Sequence, residues 1–205
     1  GYVPTVVDDG TRGQPCECCP VDLQVYPDGD TVMVFRNNID NVREIYLLDA
    51  PTGGPFTQTA KVSDTRWEIS GCPFDGPVLG RTEDTLVATW VDGTLGDNYA
   101  FFAHSPDRGH TWSPSAQVFP ANDNSMTWPT ATAAEDGSIW LSIEEIWHRT
   151  LLAHSVDGGA TWAEVEDPGE PLFVGELGAG DGRVGLVGIT EDGELHYRED
   201  FAEIP

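Results

Sequence analysis

Short runs in which apolar and polar residues alternate fill most of the chain, and clusters of turn residues separate them. Such period-two alternation is the pattern of a β-strand with one buried face. The runs occur in three successive pairs: Thr31 to Phe35 with Glu44 to Leu48, Thr85 to Trp90 with Asn98 to Ala103, and Ser138 to Ile143 with Thr150 to Ala153. No segment shows the spacing of an amphipathic helix, so the pattern predicts an all-β fold.

A fourth and less regular pair, Arg183 to Thr190 and Glu194 to Arg198, completes a repeating arrangement. We predict a single domain over residues 1–205, a β-propeller of about four blades with four short antiparallel strands each, near residues 21–62, 72–119, 128–166 and 172–200. The last unit lacks an outer strand. The run Tyr2 to Val7 is expected to supply it and close the ring, or else the chain is part of a larger propeller.

Two eight-residue segments nearly coincide. Residues 105–112 and 155–162 both follow S-x-D-x-G-x-T-W, fifty residues apart, and a degenerate copy occupies residues 49–56. In such a segment the short polar side chains can bond backbone amides, glycine permits a positive φ, and tryptophan packs beneath. The pattern predicts a folded hairpin.

These segments resemble the Asp boxes, or bacterial neuraminidase repeats, of sialidase-like β-propellers. In that family the boxes lie on outer hairpins, away from the ligand. The resemblance implies a structural role for Ser105, Asp107, Gly109, Trp112, Ser155, Asp157, Gly159 and Trp162.

The cysteines form an unusual string, Cys16-Glu17-Cys18-Cys19-Pro20, with a fourth at Cys72. Aligning the units places Cys19-Pro20 opposite Cys72-Pro73, with Trp128-Pro129 in the third unit, so we expect these positions to meet at one mouth of the propeller channel. Two interpretations remain open. One is disulfides, including a bond from the N-terminal segment to Cys72. The other is a thiolate site for copper(I) or zinc, with Met126 as an outlying ligand.

The cysteine string and the later string from Trp67 to Pro77 together resemble a group of exported bacterial proteins labelled sialidase-like. That group carries C-x-C-C-P followed by W-x-I-x-G-C-P-x-x-G-P, and the resemblance covers roughly residues 14–165. It implies a propeller exported to an extracellular or periplasmic location. The label itself rests on the Asp boxes and says little about activity.

A working sialidase of that family needs three arginines around the substrate carboxylate, a tyrosine nucleophile with its glutamate, and an aspartate for proton transfer. The family's arginine-isoleucine-proline string is missing here, and the arginine triad cannot be assigned. We therefore expect recognition of a glycan or of a protein surface partner. Glycoside hydrolysis and metal binding are the alternatives.

Five residues are candidates for the mouth. Arg36 ends a strand and could hold a ligand, and Asp75 is a candidate acid that could act with Glu144. Glu145 is a candidate ligand-binding residue, and Trp128 could stack on a sugar face. Each also has a plain structural interpretation, since strand-end charges are usually solvated and a tryptophan at the start of a blade usually belongs to the core.

Thirty-five acidic and ten basic residues give a net charge of −25. Such a charge repels phosphates and anionic membranes, so we expect neither nucleic acid binding nor membrane insertion. It also disfavours an anionic sugar as ligand. The scarcity of lysine suits a protein kept soluble in high salt, and we predict a salt-loving source.

Overall fold

The computed structural model describes residues 14–119, 125–146, 148–165 and 171–199. This part of the chain contains strands and turns but no helix, and so no helix that could cross a membrane. Its strands are β1 (Gln14–Pro15), β2 (Asp22–Val25), β3 (Thr31–Ile39), β4 (Val42–Ala50), β5 (Thr57–Lys61), β6 (Trp67–Glu68), β7 (Val78–Arg81), β8 (Leu86–Asp92), β9 (Tyr99–Ser105), β10 (Ala116–Gln117), β11 (Met126–Ala133), β12 (Ile139–Glu145), β13 (Arg149–Ser155), β14 (Ala163–Val165), β15 (Phe173–Gly180), β16 (Arg183–Ile189) and β17 (Leu195–Glu199).

The strands form four antiparallel sheets in chain order. In the first, β2 and β1 flank β3 on one side, while β5 and β6 flank β4 on the other. The second sheet runs β7-β8-β9-β10 and the third β11-β12-β13-β14. The fourth contains β15, β16 and β17. The second, third and fourth sheets are therefore up-and-down meanders, and the first sheet is a meander from β2 to β5 to which β1 and β6 add short pairings. This is the organisation of propeller blades.

Neighbouring sheets pack through their first strands, since β2 contacts β7, β7 contacts β11, and β11 contacts β15. The all-β propeller prediction is confirmed. Among the described residues the fourth sheet has three strands. The run Tyr2 to Val7, predicted to complete it, lies outside the described part of the chain.

The hydrophobic core lies between successive sheets. Nearly every side chain of β8 and β9 is buried, because both faces of the second sheet are covered. Trp90 is fully buried and stacks on Phe101 with 6.4 Å between ring centroids. A smaller cluster around Leu152, Leu177 and Leu186 joins the third and fourth sheets. The core thus fixes the order and spacing of the blades.

Candidate functional site

Hydrogen bonds connect residues of the first three blades in one region of the molecule. We call this region the mouth and define it by Arg36, Asp75, Thr127, Trp128 and Glu144. Arg36 lies in the last part of β3, and Asp75 lies in the loop that leads into β7. Thr127 and Trp128 lie at the start of β11, and Glu144 lies at the end of β12. Three successive blades therefore contribute to the mouth.

Arg36 joins the first blade to the second. Its side chain is buried, and its Nε donates to the backbone oxygen of Asp75 at 3.1 Å while Nη2 donates to that of Val91 at 2.7 Å. The guanidinium carbon lies 5.3 Å from the centroid of the Trp67 ring. Burial lowers the pKa of Arg36 to about 10, although the carboxylates of Asp92 and Asp75 oppose this shift. These bonds indicate that Arg36 positions the Asp75 loop.

Asp75 joins the second blade to the third. Its carboxylate is buried, and Oδ1 accepts from the Thr127 hydroxyl at 2.7 Å and from the Trp128 backbone amide at 3.0 Å. A buried carboxylate needs such donors because burial removes its water. The two bonds fix where the chain enters β11, and with it the direction of the Trp128 ring.

Two exposed aromatic residues adjoin Asp75: Phe74 precedes it in the chain, and Trp128 donates its backbone amide to the carboxylate. Phe74 is 70% exposed and Trp128 is 51% exposed. Both have left-handed backbones, with φ of 62° at Phe74 and 48° at Trp128, and the pairing of β11 with β12 is irregular between Thr127 and Thr130. Bulky residues seldom adopt a positive φ, and bulges often re-aim side chains beside functional sites. Phe74 was not predicted from the sequence, where its position next to Asp75 is the one feature that could have pointed to it.

Glu144 and Glu145 are buried, contrary to the expectation that strand-end charges are solvated. Glu144 lies directly opposite Thr127 in the register of β11 and β12, so the two side chains share one face of the sheet. Thr127 is also the residue whose hydroxyl donates to Asp75. Glu145 lies opposite Met126 and pairs with Arg149 at 3.5 Å. The fold therefore brings Arg36, Asp75, Trp128 and Glu144 to the mouth, while Glu145 belongs to the adjacent position.

All four cysteines lie beside the mouth and are paired as disulfides, Cys16 with Cys19 and Cys18 with Cys72. The backbone amide of Cys16 donates to the carbonyl of Arg36 at 2.8 Å. The second disulfide ties the N-terminal segment to the loop that carries Phe74 and Asp75, as the disulfide interpretation expected. Stable disulfides are compatible with an extracellular or periplasmic location.

The two S-x-D-x-G-x-T-W segments lie at the opposite end of the strands and share one set of hydrogen bonds. In the first, Asp107 Oδ1 accepts from Ser105 Oγ and from the Thr111 amide, both at 2.8 Å. Asp157 accepts from Ser155 Oγ and the Thr161 amide at the same distances. Ser105 and Ser155 also accept from the amides of Gly109 and Gly159, at 2.8 Å and 2.9 Å.

Each of these segments also packs against the preceding blade. A Cβ on Gly159 would approach Val87 Cγ2 to 2.6 Å, and Trp162 meets Phe102 edge to face with 5.3 Å between centroids. Trp112 packs against the core in the same way. Arg108 reaches the first blade, where it bonds Asp28 at 2.7 Å. These contacts support the structural role predicted for the repeated segments.

No family model matches the sequence, and no curated protein does. Solved structures do match. A protein of unknown function from Dyadobacter fermentans superimposes with a TM-score of 0.62 at 16% identity, covering 90% of this chain and 62% of that one. A Hadza microbial sialidase matches with a TM-score of 0.58 at 16% identity over 87% of this chain and 43% of its own.

A sialidase from Trypanosoma rangeli matches with a TM-score of 0.56 at 15% identity, over 87% of this chain and 36% of its own. These likenesses define the class by its fold, a sialidase-like β-propeller. In all three cases this chain spans less than two thirds of the length of the protein that it matches.

Proposed function

We propose that the protein recognises a carbohydrate at its mouth, with Trp128 and Phe74 as the platforms on which a sugar ring stacks. The observation that carries this proposal is that the two aromatic residues adjoining the buried Asp75, Phe74 and Trp128, are exposed and have a positive φ. An aromatic ring kept in water gains from covering the apolar face of a sugar, and the adjacent polar groups can bond its hydroxyls. Sialidases among the structural matches support this choice of ligand class.

The charges around the mouth favour a neutral sugar. Asp75 and Glu144 are buried there, and the whole chain carries a net charge of −25. The Nε and Nη2 groups of Arg36 are already used in bonds to backbone carbonyls. The third donor group of Arg36, Nη1, is buried and has no hydrogen-bond partner among the described residues. One buried guanidinium is the cation that would have to offset the repulsion of an anionic sugar at the mouth, so the electrostatics favour a neutral glycan.

The test is titration of the chain with neutral and sialylated oligosaccharides, followed by calorimetry and by tryptophan fluorescence. Trp128→Ala and Phe74→Ala are each expected to weaken binding of a neutral glycan about threefold to tenfold. Val156→Ala is the matched control, because Val156 is exposed on a hairpin at the other end of the strands. Equal affinity in all four proteins would refute the aromatic platform.

Glycoside hydrolysis is the second candidate, and one observation favours it. The Asp75 carboxylate bonds Thr127, and Glu144 is the cross-strand neighbour of the same Thr127, so two buried acidic residues adjoin one residue. A carboxyl pair of this kind can supply an acid and a base or nucleophile for hydrolysis. The hypothesis assigns proton donation to Asp75 and activation of water or attack on the sugar to Glu144.

A panel of aryl glycosides tests the second candidate. Hydrolysis that is lost in Asp75→Asn and in Glu144→Gln, while both variants still bind a neutral glycan, would establish catalysis at the mouth. Arg36→Lys reports on loop position, since lysine cannot make both of the bonds to Asp75 and Val91 with the same geometry. A chain that binds glycans and hydrolyses none supports recognition alone.

A further inference from the structure

The four cysteine sulfur atoms are closer together than two independent disulfides require. All four Sγ atoms lie within 4.8 Å of one another, and those of Cys16 and Cys18, which are not bonded to each other, lie 3.5 Å apart. A tetrahedral zinc–thiolate centre with bonds of about 2.3 Å separates its sulfur atoms by roughly 3.8 Å. The cluster therefore has the compactness of a four-sulfur metal site.

The backbone holds these cysteines together apart from the disulfides. Cys16 donates its amide to Arg36 in β3, and the Cys19 amide donates to the Cys16 carbonyl at 3.2 Å. Gly76, four residues after Cys72, lies directly against the backbone of Pro20, where any Cβ would collide. Cys16 is buried and the other three are half-buried, so bulk water is partly excluded. These contacts do not involve the sulfur–sulfur bonds, so we expect them to keep the four thiols close together after reduction.

We propose that Cys16, Cys18, Cys19 and Cys72 form, in their reduced state, a tetrathiolate site for one zinc ion. Two molecules of a dithiol supply the four electrons and four protons that convert both disulfides to thiols, and each dithiol becomes a disulfide. Binding of zinc then displaces the four thiol protons, because the thiolate is the ligand. The proposal does not depend on glycan recognition.

In this proposal, zinc–sulfur bonds replace the disulfides as the covalent link between the N-terminal segment and the loop after Cys72. Cys72 lies two residues before Phe74, so both the disulfide and the zinc–sulfur bonds would anchor the loop that carries Phe74 and Asp75. Loss of both would leave the loop held by the hydrogen bonds of Arg36 and Asp75. The mouth thus has two ordered states, one oxidised and one reduced with metal.

The experiment reduces the chain without oxygen, removes the reductant, and titrates it with cobalt(II) and then zinc. One cobalt per chain with the charge-transfer and visible absorption of tetrahedral cobalt thiolate is expected, and zinc should abolish it. X-ray absorption of the zinc form should show a sulfur shell at about 2.3 Å. Cys72→Ser should weaken zinc binding more than about tenfold. Glu17→Gln, which removes an exposed carboxylate beside the cluster, should leave it unchanged.

Three outcomes would overturn the proposal. They are a reduced chain that gives no cobalt–thiolate absorption, a metal shell of oxygen rather than sulfur, and zinc binding that is the same in Cys72→Ser. A reduced chain that loses its β-sheet circular dichroism and does not regain it with zinc counts against it equally, since the backbone would then fail to gather the thiols.

Discussion

Phe74 and Trp128 hold backbone conformations that glycine adopts freely and that cost other residues about 1–2 kcal/mol. Neither ring is buried, so packing does not offset this cost. Strain of this kind persists where the surrounding structure imposes it. Here the disulfide at Cys72 and the bonds to Asp75 impose it.

The strain at Phe74 can be measured by comparing two substitutions. Both Phe74→Gly and Phe74→Ala remove the ring, but only glycine relieves a φ of 62°. We expect Phe74→Gly to be more stable than Phe74→Ala by about 0.5–1 kcal/mol in urea unfolding. At Val156, where φ is not positive, the same pair should show the opposite order. Equal stability of the two Phe74 variants would contradict the strained loop.

Asp75 allows a second comparison at the residue scale. Asp75→Ala leaves the Thr127 hydroxyl and the Trp128 amide without their acceptor, and should lower the free energy of unfolding by about 1–3 kcal/mol. Asp75→Asn keeps an oxygen in place and should retain most of the stability. Chemical denaturation of the two variants measures the difference. A loss as large in Asp75→Asn as in Asp75→Ala would mean that the negative charge, not the acceptor, holds the mouth together.

The residues of the mouth were predictable to the extent that they mark the ends of repeated strands. Aligning the repeats selects Trp128 together with Cys72, because equivalent strand ends meet around an axis. Asp75 was a candidate because it lies close to Cys72, and Glu144 because it ends a strand. Phe74 was not predicted. Its exposure accompanies a left-handed backbone, and the alternation of apolar and polar residues does not predict such a conformation.

The S-x-D-x-G-x-T-W hairpins are small elements held together by one carboxylate each. Hydrogen bonds from the side chain and backbone of Thr161 and from Ser155 lower the pKa of Asp157 to about 2. At Asp107 burial raises the pKa, but the equivalent hydrogen bonds from Thr111 and Ser105 outweigh burial, so the pKa is lowered as well. Because the folded pKa lies below the unfolded value, ionised Asp157 stabilises the fold above the unfolded pKa.

This stabilisation should be lost as the pH falls from about 4 towards 2, through the folded pKa of Asp157. We expect the melting temperature of the natural chain to fall steeply in this window. Asp157→Asn should start lower at neutral pH and show a shallower fall, since one of the titrating groups is gone. Circular dichroism melts across the pH range measure both curves. Parallel curves would show that the box carboxylate does not contribute to the acid dependence.

At this element scale the sequence was most informative. The predicted runs Thr31 to Phe35, Thr85 to Trp90 and Ser138 to Ile143 coincide with parts of β3, β8 and β12. Period-two alternation locates such strands because each has a buried face. The short β1 and β6, two residues each, were not predicted, because two residues cannot show a period.

The whole molecule combines a β-sheet core with a large excess of negative charge, −25 over 205 residues. Only a few ion pairs offset it among the described residues, and all of them involve at least one partly exposed side chain. Mutual repulsion between carboxylates acts over distances comparable with the Debye length, which is about 8 Å at physiological ionic strength. The charge therefore opposes the compact state in dilute buffer and much less in concentrated salt.

We accordingly expect the melting temperature at neutral pH to rise by several degrees between dilute buffer and molar sodium chloride, as screening removes the repulsion. The same titration at about pH 4, where many carboxylates are protonated, is the control and should give a smaller rise. Salt that strengthened only the apolar contacts would act alike at both pH values. A melting temperature that is independent of salt would mean that the carboxylates are spaced too widely to repel, and the predicted adaptation to high salt would lose its physical basis.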